Sequence, residues 1–476
     1  MPATDARPVL AGRFFRGTRS SHVNGQQRLS AFERLLSLFT RVQPGEGRCV
    51  AILALQAFTL MVAYYLIRPV REALILTQGG AELRSYAVAV QAVLLMLLIP
   101  AYGALMRRVE SGRAYQIVNA FFACNLLVFF LLGQAGWRLG FAFFVWGSLF
   151  SVVAVTQFWA FATDLFSVSA GQRLFGLIAV GVSGGALAGA GLSSALFGLL
   201  GPSGLMLASA AALAGVIWFS GRARHGVPVT ARSHSLADRP PSGDAGKWLG
   251  GFVVIARSRY LVGIAALVVL LNWITSTGDF VLSHWLTDIA RHEAPQDQAA
   301  YIGRFMGLYC STVTLVAFLI QLLLVSRIIQ LAGLARALLV TPIALVAGYL
   351  LVGIVPAFLL LQSVLVVQRS FDYSLLNTTR NALLLPAGRE VKYQAKTAID
   401  TFFFRIGDLL STASVFAATR LFDDARTQML WLIVALSATM TLIAWLIGRE
   451  YSRRCASAPD SIPGAGDRGL RPVLVQ

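Results

Sequence analysis

Apolar residues run in long unbroken blocks along this chain, and polar residues collect in short intervals between them. Twelve blocks are long enough to cross a hydrocarbon core of about 30 Å. They cover roughly 49–76, 85–106, 114–133, 139–162, 174–199, 203–220, 260–283, 305–328, 334–353, 355–378, 398–419 and 428–447. None alternates strictly as a membrane strand does, and a single segment in lipid satisfies its backbone groups only as a helix. The pattern predicts an all-α integral membrane protein of twelve transmembrane helices, partnered by the lipid bilayer. The longest polar stretch between blocks, Gly221 to Lys247, contains Arg239-Pro-Pro-Ser-Gly and no apolar periodicity. It divides the spans six and six. The expected organisation is a tail at 1–48, a six-helix half at 49–220, a flexible linker at 221–250, a second six-helix half at 251–450 and a tail at 451–476.

Composition agrees: 57% of residues are hydrophobic and 13% charged, where a soluble protein carries about a quarter charged. The formal charge of +18 invites a nucleic-acid reading, which its distribution opposes. Eight Arg against three acids precede Cys49, and seven Lys or Arg against two Asp lie between Gly221 and Arg259. The alternate interval Gly201-Pro-Ser-Gly has no basic residue, and Asp288 to Asp297 is acidic. This is the positive-inside asymmetry, with both termini, the linker and both tails cytoplasmic. The expected location is the bacterial inner membrane, and no nucleic-acid partner is expected, since no recognition fold accompanies the charge. No cleavable signal peptide is expected. The Arg-rich first 47 residues resemble a mitochondrial presequence as well, but Leu29-Ser-Ala-Phe-Glu-Arg-Leu-Leu-Ser-Leu-Phe favours a cytoplasmic tail with a surface-lying helix. The scattered Cys49, Cys124, Cys310 and Cys455 imply neither a disulfide frame nor a metal site. No phosphate loop, metal-binding spacing or nucleophile elbow occurs, so neither enzyme nor cofactor is expected. The Gly-rich run from Gly181 to Gly191 lies inside a span and predicts close helix packing.

Two six-helix halves around a midplane site is the arrangement of major facilitator transporters. A weak internal repeat supports it. Phe158-Trp-Ala-Phe-Ala-Thr-Asp164 leads to Ala170-Gly-Gln-Arg173, and Ser370-Phe-Asp-Tyr-Ser leads to Ala387-Gly-Arg-Glu-Val-Lys392. The interval Gly103-Ala-Leu-Met-Arg107-Arg108-Val-Glu-Ser-Gly112-Arg113 echoes a facilitator signature, two residues too long and with Arg107 in place of its Asp.

Three charged constellations interrupt the apolar blocks. Arg68, Arg71 and Glu72 share a helix face at i, i+3 and i+4 if the first span continues past Pro69. Ionised groups inside a bilayer mark substrate or ion pathways. The competing reading ends the span at Ile67 and lets Arg68 snorkel. In the seventh span Asn272 and Asp279 share a face, with Gly278 a candidate break; alternatively Asp279 lies in the headgroup layer. The tenth span carries Arg369, Tyr373, Asn377 and Arg380. Lys392, Lys396 and Asp400 then follow at i, i+4 and i+8, with Arg405 and Asp408 beyond. The chain holds 37 Arg and three Lys, two of them here, which suggests a need for a compact charge. An ordinary solvated basic loop explains the same pattern.

At these residues the chain resembles a known family. Tyr64-Tyr-Leu-Ile-Arg-Pro-Val-Arg-Glu-Ala-Leu, Phe158-Trp-Ala-Phe-Ala, Phe305-Met-Gly-Leu and Lys392-Tyr-Gln-Ala-Lys-Thr-Ala-Ile-Asp400 are similar to segments of the nucleotide transporters of the plastid, rickettsial and chlamydial ADP/ATP translocase type. They are closer still to that family's short proteobacterial homologues, in order over about residues 44–450. The resemblance implies a twelve-helix facilitator that exchanges ATP for ADP or imports nucleotides with protons. The family's first-span lysine falls on Arg71, its seventh-span glutamate on Asp279, and its last-motif lysine on Lys392 or Lys396, with Asp400 present. A further glutamate would fall near Gly147 and is missing. The expected function is a monomeric secondary transporter of a nucleotide or related phosphorylated anion. Substrate would meet Arg68, Arg71, Asp279, Arg380, Lys392 and Lys396, while Glu72, Asp400, Arg405 and Asp408 pair charges or couple. Two alternatives stand. One is a proton-coupled facilitator for another small metabolite, with Asp279 and Asp400 as proton carriers and Trp273, Trp285 and Phe402–Phe404 lining the path. The other is a non-transporting membrane partner or sensor.

Overall fold

The computed structural model describes residues 33, 34, 37, 42–44, 46–106, 111–225, 247–384 and 389–456. Among them every regular element is a helix. The amphipathic stretch at 29–39, the signature at 103–113 and the linker and tails lie wholly or largely outside this description. Eight helices are long and apolar enough to cross a membrane, and two of these are far too long to cross once. Glu46–Met106 has 61 residues and Val168–His225 has 58. At 1.5 Å per residue the first would extend roughly 90 Å, three bilayer cores. Each therefore folds back on itself at one residue. Gly80 (φ 67°) and Gly201 (φ 62°) occupy the left-handed region that only glycine enters without penalty. These two helices become spans one and two (46–79, 81–106) and five and six (168–200, 202–225).

Spans three, four, seven and eight are Ser111–Gln134, Gly140–Leu165, Arg259–Glu293 and Gln298–Leu323. The helix Val325–Ile354 turns at Gly333 (φ 75°), which leaves 334–354 as the ninth span. The tenth comprises Phe358–Phe371, a π-helical turn Asp372–Leu376, and Asn377–Leu383. The eleventh comprises Arg389–Ala398, a second π turn Ile399–Phe403, and Phe404–Leu421; Ala425–Ala456 is the twelfth. The tenth and eleventh are each interrupted by a π turn, and their deeper charges Arg369, Arg405 and Asp408 face the interior of the protein. The expected twelve spans are present, with two corrections to their outline. Several helices run many residues past the apolar blocks, and no loop separates the first span from the second. The seventh span is unbroken at Gly278; a Cβ there would sit 2.5 Å from the Tyr349 hydroxyl, so glycine serves a close approach.

Large apolar side chains are exposed on the outer faces of the spans, as with Leu199 and Leu359. The Gly-rich part of span five packs on span one: Cβ atoms at Gly181 and Gly185 would lie 2.2 and 2.3 Å from the Ala54 and Phe58 carbonyl oxygens. Twelve crossings put both described termini on one side, here the terminal end; the opposite end is the distal end. The two halves meet tightly at the distal end. A Cβ at Gly307 of span eight would lie 2.8 Å from the Ser194 backbone of span five, and one at Gly303 would overlap the Phe197 ring. Ser194 donates to the Arg304 carbonyl at 3.1 Å, and Thr412 of span eleven donates to the Ser85 carbonyl of span two at 2.9 Å.

Candidate substrate cavity

The first span continues through Pro69 as a helix. Proline removes one backbone donor, and hydroxyls from neighbouring spans supply others nearby. Ser193 donates to the Leu66 carbonyl at 3.2 Å and Ser209 to the Ala63 carbonyl at 2.8 Å. The continuation sets Tyr64, Arg68, Arg71 and Glu72 along one side of a cavity of about 270 Å³ between the halves. Span two adds Arg84, Val88, Gln91 and Leu95, one face at helical spacing, and span four adds Phe144, Ser148, Ser151 and Val152. The second half contributes Asn272, Thr275, Ser276 and Asp279 from span seven, and Tyr309 and Cys310 from span eight. Arg369 and Tyr373 of span ten and Phe404, Arg405 and Asp408 of span eleven complete the wall.

Five arginines and three carboxylates line this space, a formal surplus of two positive charges. Most form one chain of alternating sign. Arg71 lies 3.4 Å from Glu72, Glu72 lies 2.7 Å from Arg84, Arg84 lies 3.2 Å from Asp279, and Asp279 lies 2.5 Å from Arg369. The Arg84–Asp279 link crosses between halves. All five side chains are less than a fifth exposed, where an unpartnered charge is expensive and a paired one is tolerated. Arg71 also donates to Ser148 at 2.8 Å and lies over the Phe144 ring at 4.9 Å. Its Nε remains buried without a partner. Gly147 faces it: a Cβ there would be 3.5 Å from the Arg71 Cδ. Glu72 is the one carboxylate within ion-pair distance of Arg71 among the described residues. Arg68 has no carboxylate within ion-pair distance among the described residues and lies 5.5 Å from the Tyr65 ring centre. Arg405 pairs with Asp408 at 3.2 Å, and Ser276 donates to Asp408 at 2.6 Å. Asn272 donates to the Phe404 carbonyl at 2.7 Å.

A second cavity of about 270 Å³ adjoins the first through Asn272, Thr275, Arg369, Tyr373 and Phe404. Asp372, Leu376, Asn377 and Arg380 extend it toward the terminal end. Together the two reach the size of ordinary small-molecule sites, about 300–1,000 Å³.

The structure therefore gathers Arg68, Arg71, Glu72, Asp279, Arg405 and Asp408 around the first cavity and Arg380 around the second. It sets Lys396 and Asp400 apart. Lys396 donates to Asn381 and lies 3.3 Å from Asp400, which Arg380 meets at 3.5 Å. Lys396 and Asp400 are 40% and 38% exposed, so this cluster is the solvated end of two spans. Lys392 is in the same helix, its side chain outside the described residues. Of the aromatics expected on the path, only Phe404 lines it. Trp273 donates to Ser414, Trp285 packs on Phe358, and Phe402 packs on Phe252. Sequence reasoning missed Arg84, which fell in the interval 77–84 between the first two apolar blocks. The helical spacing of Arg84, Val88, Gln91 and Leu95 was the signal available.

The sequence matches no family model and no curated protein. Solved structures match over nearly their whole length. A bacterial homologue of the human lysosomal transporter Spinster, inward-facing and unoccupied, aligns at TM-score 0.59 and 12% identity over 87% of this chain and 99% of its own. The nucleoside transporter NupG aligns at 0.61 and 12% over 85% and 99%, and the POT family transporter PepTSo at 0.60 and 13% over 85% and 98%. The fold is that of the major facilitators. These are all structures of transporters, and at such identities the likeness speaks for architecture alone. The arginine chain of this protein lies in the cavity between its two halves.

Proposed function

We propose that this chain is a secondary active transporter that carries a phosphorylated anion of the nucleotide class by alternating access, with both termini cytoplasmic. The observation that supports it best is the arginine surplus of the cavity, with Arg68 lacking a carboxylate and the charge chain ending in a cation on each half. Guanidinium forks donate two parallel hydrogen bonds to phosphate oxygens, so a polyvalent anion can bridge Arg71 on one half and Arg369 on the other. Such an anion competes with Glu72 and Asp279 for the same donors. As it takes over Arg84 and Arg369, the cross-half Arg84–Asp279 link weakens and the distal end can part. A ligand moves a conformational equilibrium only by binding one state better, and displacement of an internal carboxylate supplies that difference.

The test is uptake of labelled ATP into proteoliposomes, with and without internal ADP, by the wild type and by Arg71→Gln. Uptake that needs internal ADP and falls at least tenfold in the variant supports nucleotide exchange at this cavity. Absence of uptake by folded protein rejects ATP as the cargo, and uptake indifferent to Arg71→Gln rejects this cavity as its site.

A further inference from the structure

One carboxylate in the cavities has no ion pair among the described residues. Asp372 opens the π turn of span ten and lines the second cavity. Its Oδ1 is buried and has no hydrogen-bond partner. Its Oδ2 accepts from the Thr275 hydroxyl at 3.5 Å. That hydroxyl accepts from the Gln368 amide at 2.9 Å, and Gln368 accepts from the Tyr349 hydroxyl at 2.5 Å. Every donor in this row points toward Asp372, and none of them is a cation.

Arg369 and Arg380 are committed to other carboxylates, and Arg68 meets the turn at Tyr373, with no ion pair to Asp372 among the described residues. Arg369 precedes Asp372 by three residues, the spacing at which helical side chains meet, yet its guanidinium lies 2.5 Å from Asp279. Arg380 lies 3.5 Å from Asp400. The other titratable and charged groups near the turn are Tyr373 on the same span, Arg68 on span one, Asp279 on span seven, Tyr309 and Cys310 on span eight, Tyr349 on span nine, and Arg405 and Asp408 on span eleven. Arg405 and Asp408 hold each other at 3.2 Å. A buried carboxylate without a counter-ion can gain or lose a proton without breaking a salt bridge, whereas Asp279 cannot.

The geometry points to Asp372 as the proton-binding site of the carrier, coupled to the substrate through a contest with Asp279 for Arg369. The purpose of this site rests on the transport reading; its chemistry does not. While Arg369 serves Asp279, Asp372 holds a proton taken from hydronium in the adjoining water as an O–H bond to one carboxyl oxygen. When an anion displaces Asp279, Arg369 is free to turn toward Asp372 at its own i+3 position. The O–H bond then breaks and the proton returns to water. No other bond changes. π turns recur at functional positions in helices, and here two of them, Asp372–Leu376 and Ile399–Phe403, lie in two of the three spans that border the second cavity.

Two measurements test this. The first needs no substrate: pH-difference infrared spectra of the purified protein in lipid, for the wild type, Asp372→Asn, Asp372→Glu and Asp400→Asn. The expected result is a protonated-carboxyl band that disappears as pH rises, is absent in Asp372→Asn, is shifted in Asp372→Glu and persists in Asp400→Asn. A band that survives in folded Asp372→Asn, or its absence from the wild type, overturns the proposal. The second compares labelled ATP uptake driven by a pH gradient with uptake driven by internal ADP. The ratio of the first to the second should fall at least tenfold in Asp372→Asn, and an unchanged ratio also overturns the proposal. If the wild type carries no ATP, the nucleotide reading fails while the infrared result still decides the fate of Asp372.

Discussion

Asp279→Asn removes one charge from the middle of the chain and keeps its shape. Two contacts are touched, and they differ in kind. The 2.5 Å contact with Arg369 lies within the second half and survives any motion of the halves. The 3.2 Å contact with Arg84 joins the halves near the closed distal end and exists only while that end is shut. Only the second contributes to the balance between closed and open states. A hydrogen bond to a charged group contributes about 1.5–3 kcal/mol, and with Arg84 8% and Asp279 18% exposed little of this is screened away. The closed state should therefore lose about 10–150-fold in relative population, nearer the lower figure because asparagine still accepts a neutral hydrogen bond. Ser85 is a suitable reporter: it is 6% exposed, and its carbonyl receives the Thr412 hydroxyl across the interface. In a cysteine-free background carrying Ser85→Cys, labelling by a membrane-impermeant maleimide should speed up about tenfold or more when Asp279→Asn is added. A rate within twofold of the parent, in protein with an unaltered melting curve, would refute the view that this ion pair holds the distal end shut.

Three further outcomes follow from the same geometry. Arg84→Met leaves Glu72 with only Arg71 at 3.4 Å and should cost about 3–5 kcal/mol, as removal of one partner from a buried ion pair does; a melting temperature within a degree of wild type would contradict this. Gly307→Val places a Cβ about 2.8 Å from the Ser194 backbone, which cannot yield, so Ser85→Cys should label faster although every charge is intact. Lys396→Gln alters only exposed contacts, an ion pair with Asp400 worth under about 1 kcal/mol and a hydrogen bond to Asn381, so stability should barely move and ADP-dependent ATP uptake should stay within threefold of wild type; a tenfold loss would place Lys396 on the substrate path.

Much of the architecture was legible in one dimension. Apolar blocks report crossings because lipid leaves the backbone no alternative, and Arg68, Arg71 and Glu72 announced a shared face through their spacing alone. Asn272 and Asp279 did likewise. Arg84 was hidden because it lies in the interval 77–84 between two apolar blocks, and a single positive-φ residue, Gly80, turns the chain so tightly that this interval is helical and Arg84 belongs to the cavity. The Lys396 cluster was ambiguous in the opposite sense: a solvated basic helix end and a ligand-binding face have the same i, i+4 signature, and depth along the span is what distinguishes them. Asp372 was illegible for a third reason. Its natural partner three residues earlier is in the same sequence window, and what draws Arg369 away is a carboxylate ninety residues distant, a competition that no local pattern records.

The two unmatched positive charges of the cavity have an electrical consequence. A membrane potential acts on each charge with about 2.3 kcal/mol per 100 mV for a full traverse. An empty carrier that switches access drags its surplus through part of that field, whereas a carrier holding a divalent anion crosses as a nearly neutral body. Voltage then acts chiefly on the unloaded step, in a direction set by the polarity of the membrane, and exchange of one dianion for another bypasses that step altogether. The same arginines that would attract a phosphate also make the empty return journey the electrically conspicuous half of the cycle.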